Sequence, residues 1–218
     1  MKEGELDRLP PLPPDHKPSS ELRPKRAGVA VVGTSPKGAA RREEILQGLM
    51  GKIARQELRN PSLREIGRSL KIEPAHILYY FGSREALLQS VIMRWDEEAR
   101  AAAPDQVVTL DGFANLLKRN IAIPGVVHLY LNFAAEAVDP AHPAHDFFRQ
   151  RFDRVAMALS QRIEEEQAQG RIAGHIDPQS TARQLIAMAD GLQLQSLVNP
   201  GVNALQYMLD AISQLRRP

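Results

Sequence analysis

From Ala39 onward, apolar residues recur with the spacing of a helix that buries one face. Ile45, Leu46, Leu49, Ile53, Ala54 and Leu58 follow the 3.6-residue period and predict an amphipathic helix over about 40–58, stopped by Asn60 and Pro61. Ser62 opens a shorter helix. Glu65, three residues on, completes a capping box, and Leu63, Ile66 and Leu70 form a single stripe. Lys71, Ile72 and Glu73 read as a turn, and Pro74 suits the first turn of the next helix, where a missing N–H costs nothing. That helix runs to Phe81 and breaks at Gly82. Ser83 then caps a fourth, with Leu87, Leu88, Val91, Ile92 and Trp95 as its buried stripe. Further helices are predicted at about 109–122, 125–138, 143–169, 178–198 and 202–216, punctuated by Pro104, Pro124-Gly125, Asp139-Pro140, Gly170, Asp177-Pro178 and Pro200-Gly201. With no alternating strand pattern and no repeat, the predicted fold class is all-α.

A short helix, a tight turn and a second short helix over 62–81 make a helix-turn-helix, whose second helix enters the DNA major groove. Charge supports that reading. From His16 to Arg84, fourteen Lys and Arg stand against six Asp and Glu, whereas the rest of the chain carries fourteen against twenty. A basic N-terminal third suits a polyanion, here double-stranded DNA, or, on charge alone, an ordinary solvated surface. Residues 1–39 hold seven of the sixteen prolines and no lasting period, predicting a flexible basic arm suited to follow phosphates or to remain solvated. The chain has no cysteine, which excludes disulfides and thiolate metal sites. No apolar run is long enough to span a bilayer, and the residues before Pro14 lack the apolar core of a secretion signal. The expected setting is therefore cytoplasmic, with no membrane partner.

Ile77 and Phe81 supply the core side of the second helix, which leaves Pro74, Ala75, His76, Leu78, Tyr79 and Tyr80 as candidate DNA contacts. Tyrosine hydroxyls suit phosphate oxygens. Arg84 stands in the first turn of the fourth helix, where the macrodipole disfavours a cation. With Ser83 it is a candidate phosphate clamp, the alternatives being a salt bridge or a solvated side chain. Arg41, Arg42, Ser62 and Arg64 complete the expected DNA-binding set.

Residues 41–95 resemble the DNA-binding domain of the TetR (tetracycline-repressor-like) family. The likeness rests on the amphipathic first helix, the stretch Ser62-Leu63-Arg64-Glu65-Ile66-Gly67, and above all Tyr79-Tyr80-Phe81-Gly82-Ser83-Arg84-Glu85-Ala86-Leu87. This last string is similar to the family's Tyr/His-Phe-x-Ser/Asn-Lys-Glu-x-Leu signature. The chain departs from the family at four positions: Leu78 stands where Tyr is usual, Tyr80 for His, Arg84 for Lys and Lys71 for Gly. Leu78 can instead meet a thymine methyl, and Arg84 keeps the charge while offering a bidentate grip. The resemblance implies three parts: an arm over 1–39, a helix-turn-helix domain over 40–86, and a helical ligand-binding and dimerisation domain over 87–218. It also implies that the middle helices enclose a ligand and the last two pair with their twins.

The C-terminal pattern agrees independently. Between Pro178 and Pro200, the apolar residues exceed one stripe, as in a helix buried on more than one side. Leu185, Ala189 and Leu192, with Leu205, Met208, Leu209 and Ile212 of the last helix, are the expected homodimer seam, and Gly191 would admit a close backbone approach. Candidates for a ligand pocket are Trp95, Phe113, Leu117, His128, Leu131, Phe147, Phe148, Phe152 and Met188. Roughly a third are expected to line a cavity and the rest to be core. Asp139, His142, His145 and Asp146 offer four potential metal ligands within eight residues but lack the helical i, i+4 spacing, so neither metal nor cofactor is expected. No phosphate loop, dinucleotide fingerprint, zinc-protease pair or nucleophile elbow occurs, which gives an enzyme no support. The sequence reads as a transcriptional regulator, a repressor that binds a palindromic operator as a homodimer and is released by an unknown small-molecule ligand. The alternatives are a ligand-independent regulator, or a helical interaction module whose helix-turn-helix is structural.

Overall fold

Ser35 accepts a hydrogen bond from the Gly38 N–H at 3.2 Å and so starts α1 (Pro36–Ala54) four residues earlier than the apolar spacing predicts. Pro36 occupies the first helical turn, where it initiates rather than breaks. The helix also stops short of residue 58. Gln56 takes a left-handed φ of 60°, and the Glu57 N–H reaches back to the Lys52 carbonyl at 3.0 Å. The Glu57 carboxylate then pairs with Lys52 and Arg55, at 2.5 and 2.6 Å. The computed structural model describes residues 35–102 and 109–216, so nearly all of the predicted arm, and Pro104, lie outside the described residues.

The helix-turn-helix forms as its local signals dictate. In front of α2 (Leu63–Leu70), the Ser62 hydroxyl accepts from the Glu65 N–H at 3.3 Å, and the Glu65 carboxylate accepts from the Ser62 N–H at 2.8 Å. Lys71 closes α2 in the left-handed conformation, φ 55° and ψ 44°, and Ile72 donates to the Gly67 carbonyl at 2.9 Å. Gly67 is required here. A Cβ on it would stand 2.6 Å from the Ile72 carbonyl oxygen and 3.3 Å from the Pro74 ring. Then follow α3 (Pro74–Phe81), Gly82 at φ 78°, and α4 (Arg84–Ala102), whose Ala86 N–H is received by the Ser83 hydroxyl at 3.0 Å.

The second half comprises α5 (Leu110–Ile121), α6 (Pro124–Glu136), α7 (His145–Ala168), α8 (Pro178–Val198) and α9 (Ala204–Leu215), each within two residues of its predicted ends. The described residues contain no strand.

Two apolar clusters hold the chain. The first joins α1 to α4 through Leu49, Ile66, Ile77, Phe81 and Leu88, and takes in Val126, Leu129 and Phe133 of α6 and Phe148 of α7. The Phe133 and Phe148 rings meet edge to face at 5.4 Å. The second cluster joins α5, α7, α8 and α9 through Leu110, Leu117, Ile163, Leu185, Met208 and Ile212. Charged clamps reinforce both. Arg94 of α4 pairs with both carboxylate oxygens of Glu43 on α1. Arg216 bridges Asp111 of α5, at 2.8 and 3.0 Å, and the buried Glu166 of α7, at 2.6 and 2.7 Å.

Candidate nucleic-acid interface

α3 is anchored on one side by Ile77 and Phe81, both buried. Its other side presents Ala75, His76, Leu78 and Tyr79 to solvent, Tyr79 with 58% of its surface exposed. Tyr80 is half-buried and meets the Tyr79 ring edge-on at 5.0 Å, and Pro74 is half-buried in the turn. Beside this face stand Arg64, Arg68 and Lys71, all exposed and with no side-chain hydrogen bond or ion pair among the described residues. Arg68 and Lys71 were not in the set expected from sequence. Their signal is the helical spacing of Arg64 and Arg68 along the polar face of α2.

Other expected DNA contacts are occupied within the chain. Ser62 serves the capping box, and Arg41 pairs with Glu44 at 2.6 Å. Arg42 lies over the Phe81 ring at 4.6 Å and donates to the Ser90 hydroxyl at 3.1 Å. Arg84, expected as a phosphate clamp or a salt bridge, has acceptors within the chain. Its guanidinium donates to the Pro61 carbonyl at 2.8 Å and to Asn60, and reaches Glu85 and Glu136 at 3.4 and 3.5 Å. The cation that opposes its helix dipole is thus compensated by in-chain acceptors. Asn60 in turn donates to Glu136 at 2.7 Å, tying the segment before α2 to the last residue of α6.

The other end of α6 also touches the reading head. Gly125 presses on the end of α1 so closely that a Cβ there would lie 1.9 Å from the Ile53 carbonyl oxygen. α6 therefore braces the helix-turn-helix unit at both ends, and three of its side chains lie in that unit's core.

Most expected ligand contacts are packing residues. Trp95, Phe147, Phe148 and Phe152 belong to the first cluster and Phe113 and Leu117 to the second, and the Trp95 indole donates to Asn120 at 3.3 Å. Leu131 is half-buried on α6. Only His128 of that set lines the larger groove, a cavity of about 450 Å³ between the end of α1, the start of α6 and the end of α8. A smaller groove of about 260 Å³ between α8 and α9 is lined by Met188 with Leu185, Ala211 and Leu215. Deeper in the domain, Tyr130 donates to Asp190 at 3.3 Å, and Arg151 stacks on the Tyr130 ring while pairing with Asp96 at 2.9 Å. Burial holds the Tyr130 hydroxyl and the Asp190 carboxyl above their usual ranges.

The residues of the expected dimer seam already have neighbours within the protomer. Leu185, Ala189, Leu192, Met208 and Ile212 are buried in the protomer's own core, and Leu205 and Leu209 pack against it. The large apolar residues that α8 and α9 leave in solvent are Met188, Leu194, Val198 and Tyr207, all but Met188 more than half exposed. In the turn between α6 and α7, the His142 ring accepts from the Ala144 N–H at 3.2 Å and the His145 ring donates to the Ala137 carbonyl at 3.0 Å. His145 thus ties the start of α7 to the end of α6, and His142 holds the turn between them.

Residues 113–215 match the family model described as BetI-type transcriptional repressor, C-terminal. Among solved structures, a TetR-family transcriptional regulator from Rhodococcus sp. is 21% identical, with a TM-score of 0.68 over 82% of this chain and 100% of its own. A transcriptional regulator from Saccharomonospora viridis, in complex with choline, is 20% identical with a TM-score of 0.62, over 81% of this chain and 95% of its own. GusR from Salmonella enterica is 20% identical with a TM-score of 0.60, over 84% and 98%. No curated protein matches the chain in sequence.

Proposed function

We propose that the chain is a TetR-family transcriptional regulator that binds a palindromic operator as a homodimer, represses from it, and leaves it when a small molecule binds. The observation that carries this reading is the solvent face of α3, mounted on a buried base and flanked by unpaired cations. Ala75 and His76, at the start of the helix, face base edges in the major groove, and Leu78 meets a thymine methyl. Tyr79, Arg64, Arg68 and Lys71 take phosphates. Arg42 and Arg84 act indirectly, by holding α3 and the segment before α2 in place.

The second copy covers Met188, Leu194, Val198 and Tyr207, an apolar set that one protomer leaves wet. Among the described residues, nothing beyond the adjoining turns of α8 lies within 4 Å of a Cβ placed on Gly191, which leaves room for a partner backbone. Ligand release requires the effector to favour a spacing of the two heads that the operator does not accept. By linkage, operator DNA then weakens the effector by the same factor. The choline held by one similar structure supports a small-molecule effector as a class.

The test is selection from random duplex DNA, followed by fluorescence anisotropy on the enriched site at several salt concentrations. The expected site is a palindrome with half-sites ~34 Å apart, bound with Kd near ~10⁻⁸ M or tighter and a steep salt dependence. Tyr79→Phe should weaken binding about fivefold or more without loss of helix content. Leu194→Glu should yield monomers that do not hold the operator. Enrichment of nothing, or of weak and sequence-independent binding alone, refutes the proposal.

A further inference from the structure

The groove between α1, α6 and α8 has a chemistry of its own. Its lining carries one guanidinium, from Arg59, one imidazole, from His128, and no carboxylate. Arg59 is exposed and makes no hydrogen bond or ion pair among the described residues. The nearest acids along the chain are already engaged: Glu57 by Lys52 and Arg55, and Asp190 by Tyr130 and Gln193. Ile121, Val127, Leu197 and Pro200 give the groove apolar walls, while the buried Gln193 and Ser196 add an amide and a hydroxyl. The Gln193 amide donates to the Ala189 carbonyl at 3.3 Å and the Ser196 hydroxyl to that of Leu192 at 2.8 Å, which leaves both side-chain oxygens able to accept.

A half-open cleft of this size suits a small organic molecule. A planar guanidinium with no in-chain partner suits a carboxylate, which it can hold through two parallel hydrogen bonds. We infer that this groove seats a small organic anion, a carboxylate on an apolar body, with Arg59 as its charged partner. The seat has a regulatory consequence that rests on the operator-release reading above. Gln56 and Arg59 belong to the segment leaving α1, and Pro124 and Gly125 to the start of α6. An occupant therefore touches both sides of the contact that braces the reading head.

Calorimetry on the full chain tests the seat without DNA. The probes are 4-phenylbutyrate, its neutral amide 4-phenylbutanamide, and the matched cation 4-phenylbutylammonium. The carboxylate should bind at least about tenfold more tightly than either counterpart. Arg59→Gln, a change at an exposed position, should erase that preference, and Arg59→Lys should keep most of it. Three results overturn the inference: equal binding of the three probes, an unchanged preference in Arg59→Gln, or no binding of the carboxylate at ~10 mM. Regulation is read separately, by anisotropy on the selected operator. 4-Phenylbutyrate should release DNA from the wild type and not from Arg59→Gln; bound probe without release overturns the regulatory half. Failure of the unliganded chain to bind any operator would refute the regulator reading while leaving the calorimetric result standing.

Discussion

Gly125→Ala is the sharpest probe of the brace between α6 and the reading head. The added Cβ would lie 1.9 Å from the Ile53 carbonyl oxygen and 2.9 Å from its carbon. An ordinary carbon–oxygen contact is ~3.3 Å, so α1 and α6 must part by roughly 1.4 Å. Both partners are backbone, and no rotamer change relieves the clash. Overpacking of this kind costs ~1–3 kcal/mol, and a backbone-on-backbone clash belongs at the upper end. Helix propensity returns up to ~1 kcal/mol, leaving a net loss of about 2 kcal/mol. α6 has thirteen residues, a length of roughly 20 Å. With its far end held by Glu136, a 1.4 Å displacement at Gly125 tilts the helix by roughly 4°. Urea unfolding should show the lower midpoint at unchanged m, and operator anisotropy should show affinity reduced about tenfold or more. Gly174→Ala, with nothing within 4 Å of its Cβ, is the control and should stay within ~0.5 kcal/mol. Wild-type stability and affinity in Gly125→Ala would refute the contact itself. Reduced stability with full operator affinity would keep the contact but remove α6 from any role in head placement.

Lys71 holds φ 55° at the α2 end, a conformation that costs a side chain ~1 kcal/mol, so Lys71→Gly should raise stability by up to ~1 kcal/mol in urea while weakening DNA binding by removal of a cation. A destabilised glycine variant would contradict the strain. Arg216→Ala leaves Glu166, whose side chain is 5% exposed, with only Arg171 at 3.8 Å. The expected loss is about 2–3 kcal/mol, against less than ~0.5 for Arg183→Ala, whose pair with Asp153 is solvated, and equal losses in denaturant would overturn the distinction. Burial raises the Asp190 carboxyl above its ordinary range, so the folded chain holds this proton more tightly than the unfolded chain. The wild type therefore loses stability as pH rises from the usual carboxylate range through the raised value. Asp190→Asn does not titrate, and its advantage should grow over that window and then level off; a pH-independent difference would show that the carboxyl is not perturbed.

What the sequence discloses here is local. Ser62 and Glu65, Pro74, Ser83 and Asp177-Pro178 mark helix starts because each acts within three residues of itself. The start of α1 escapes the apolar spacing because Pro36 and Gly38 look like breakers until Ser35 is seen to cap them. Arg84 was legible as a cation against a dipole, but its acceptors are Asn60 and Pro61, before α2, and Glu136, fifty-two residues later. Hydrophobicity in α8 and α9 says that residues are buried without saying by what. Leu185, Met208 and Ile212 go to the protomer's own core, so the surface left for a partner consists of the residues off that stripe. The larger groove was invisible for a similar reason. Aromatic residues at helical spacing became core, while the cleft formed where Gln56, Arg59 and Pro200 happen to converge.

The two sides of α6 differ in a way that decides where a displacement can occur. Toward the reading head it is bound by Val126, Leu129 and Phe133 in a close-packed cluster, and at its ends by Gly125 and Glu136. Packed interiors have discrete arrangements rather than a continuum, so this side moves with the head as one body or not at all. Toward α8 the link includes a polar contact. Tyr130 of α6 reaches Asp190 of α8 at 3.3 Å, a long hydrogen bond, and within α8 Gln193 reaches the same carboxylate at 3.4 Å. Such bonds exchange partners without opening a cavity, whereas shearing the apolar side would forfeit burial that costs several kcal/mol to lose. The Tyr130–Asp190 bond can thus yield to a shift of α8 along α6 more readily than the apolar side can yield to a shift of the head. The larger groove opens between α6 and α8, where a coupling free energy of the usual ~1–3 kcal/mol is enough to change operator affinity about five- to 150-fold.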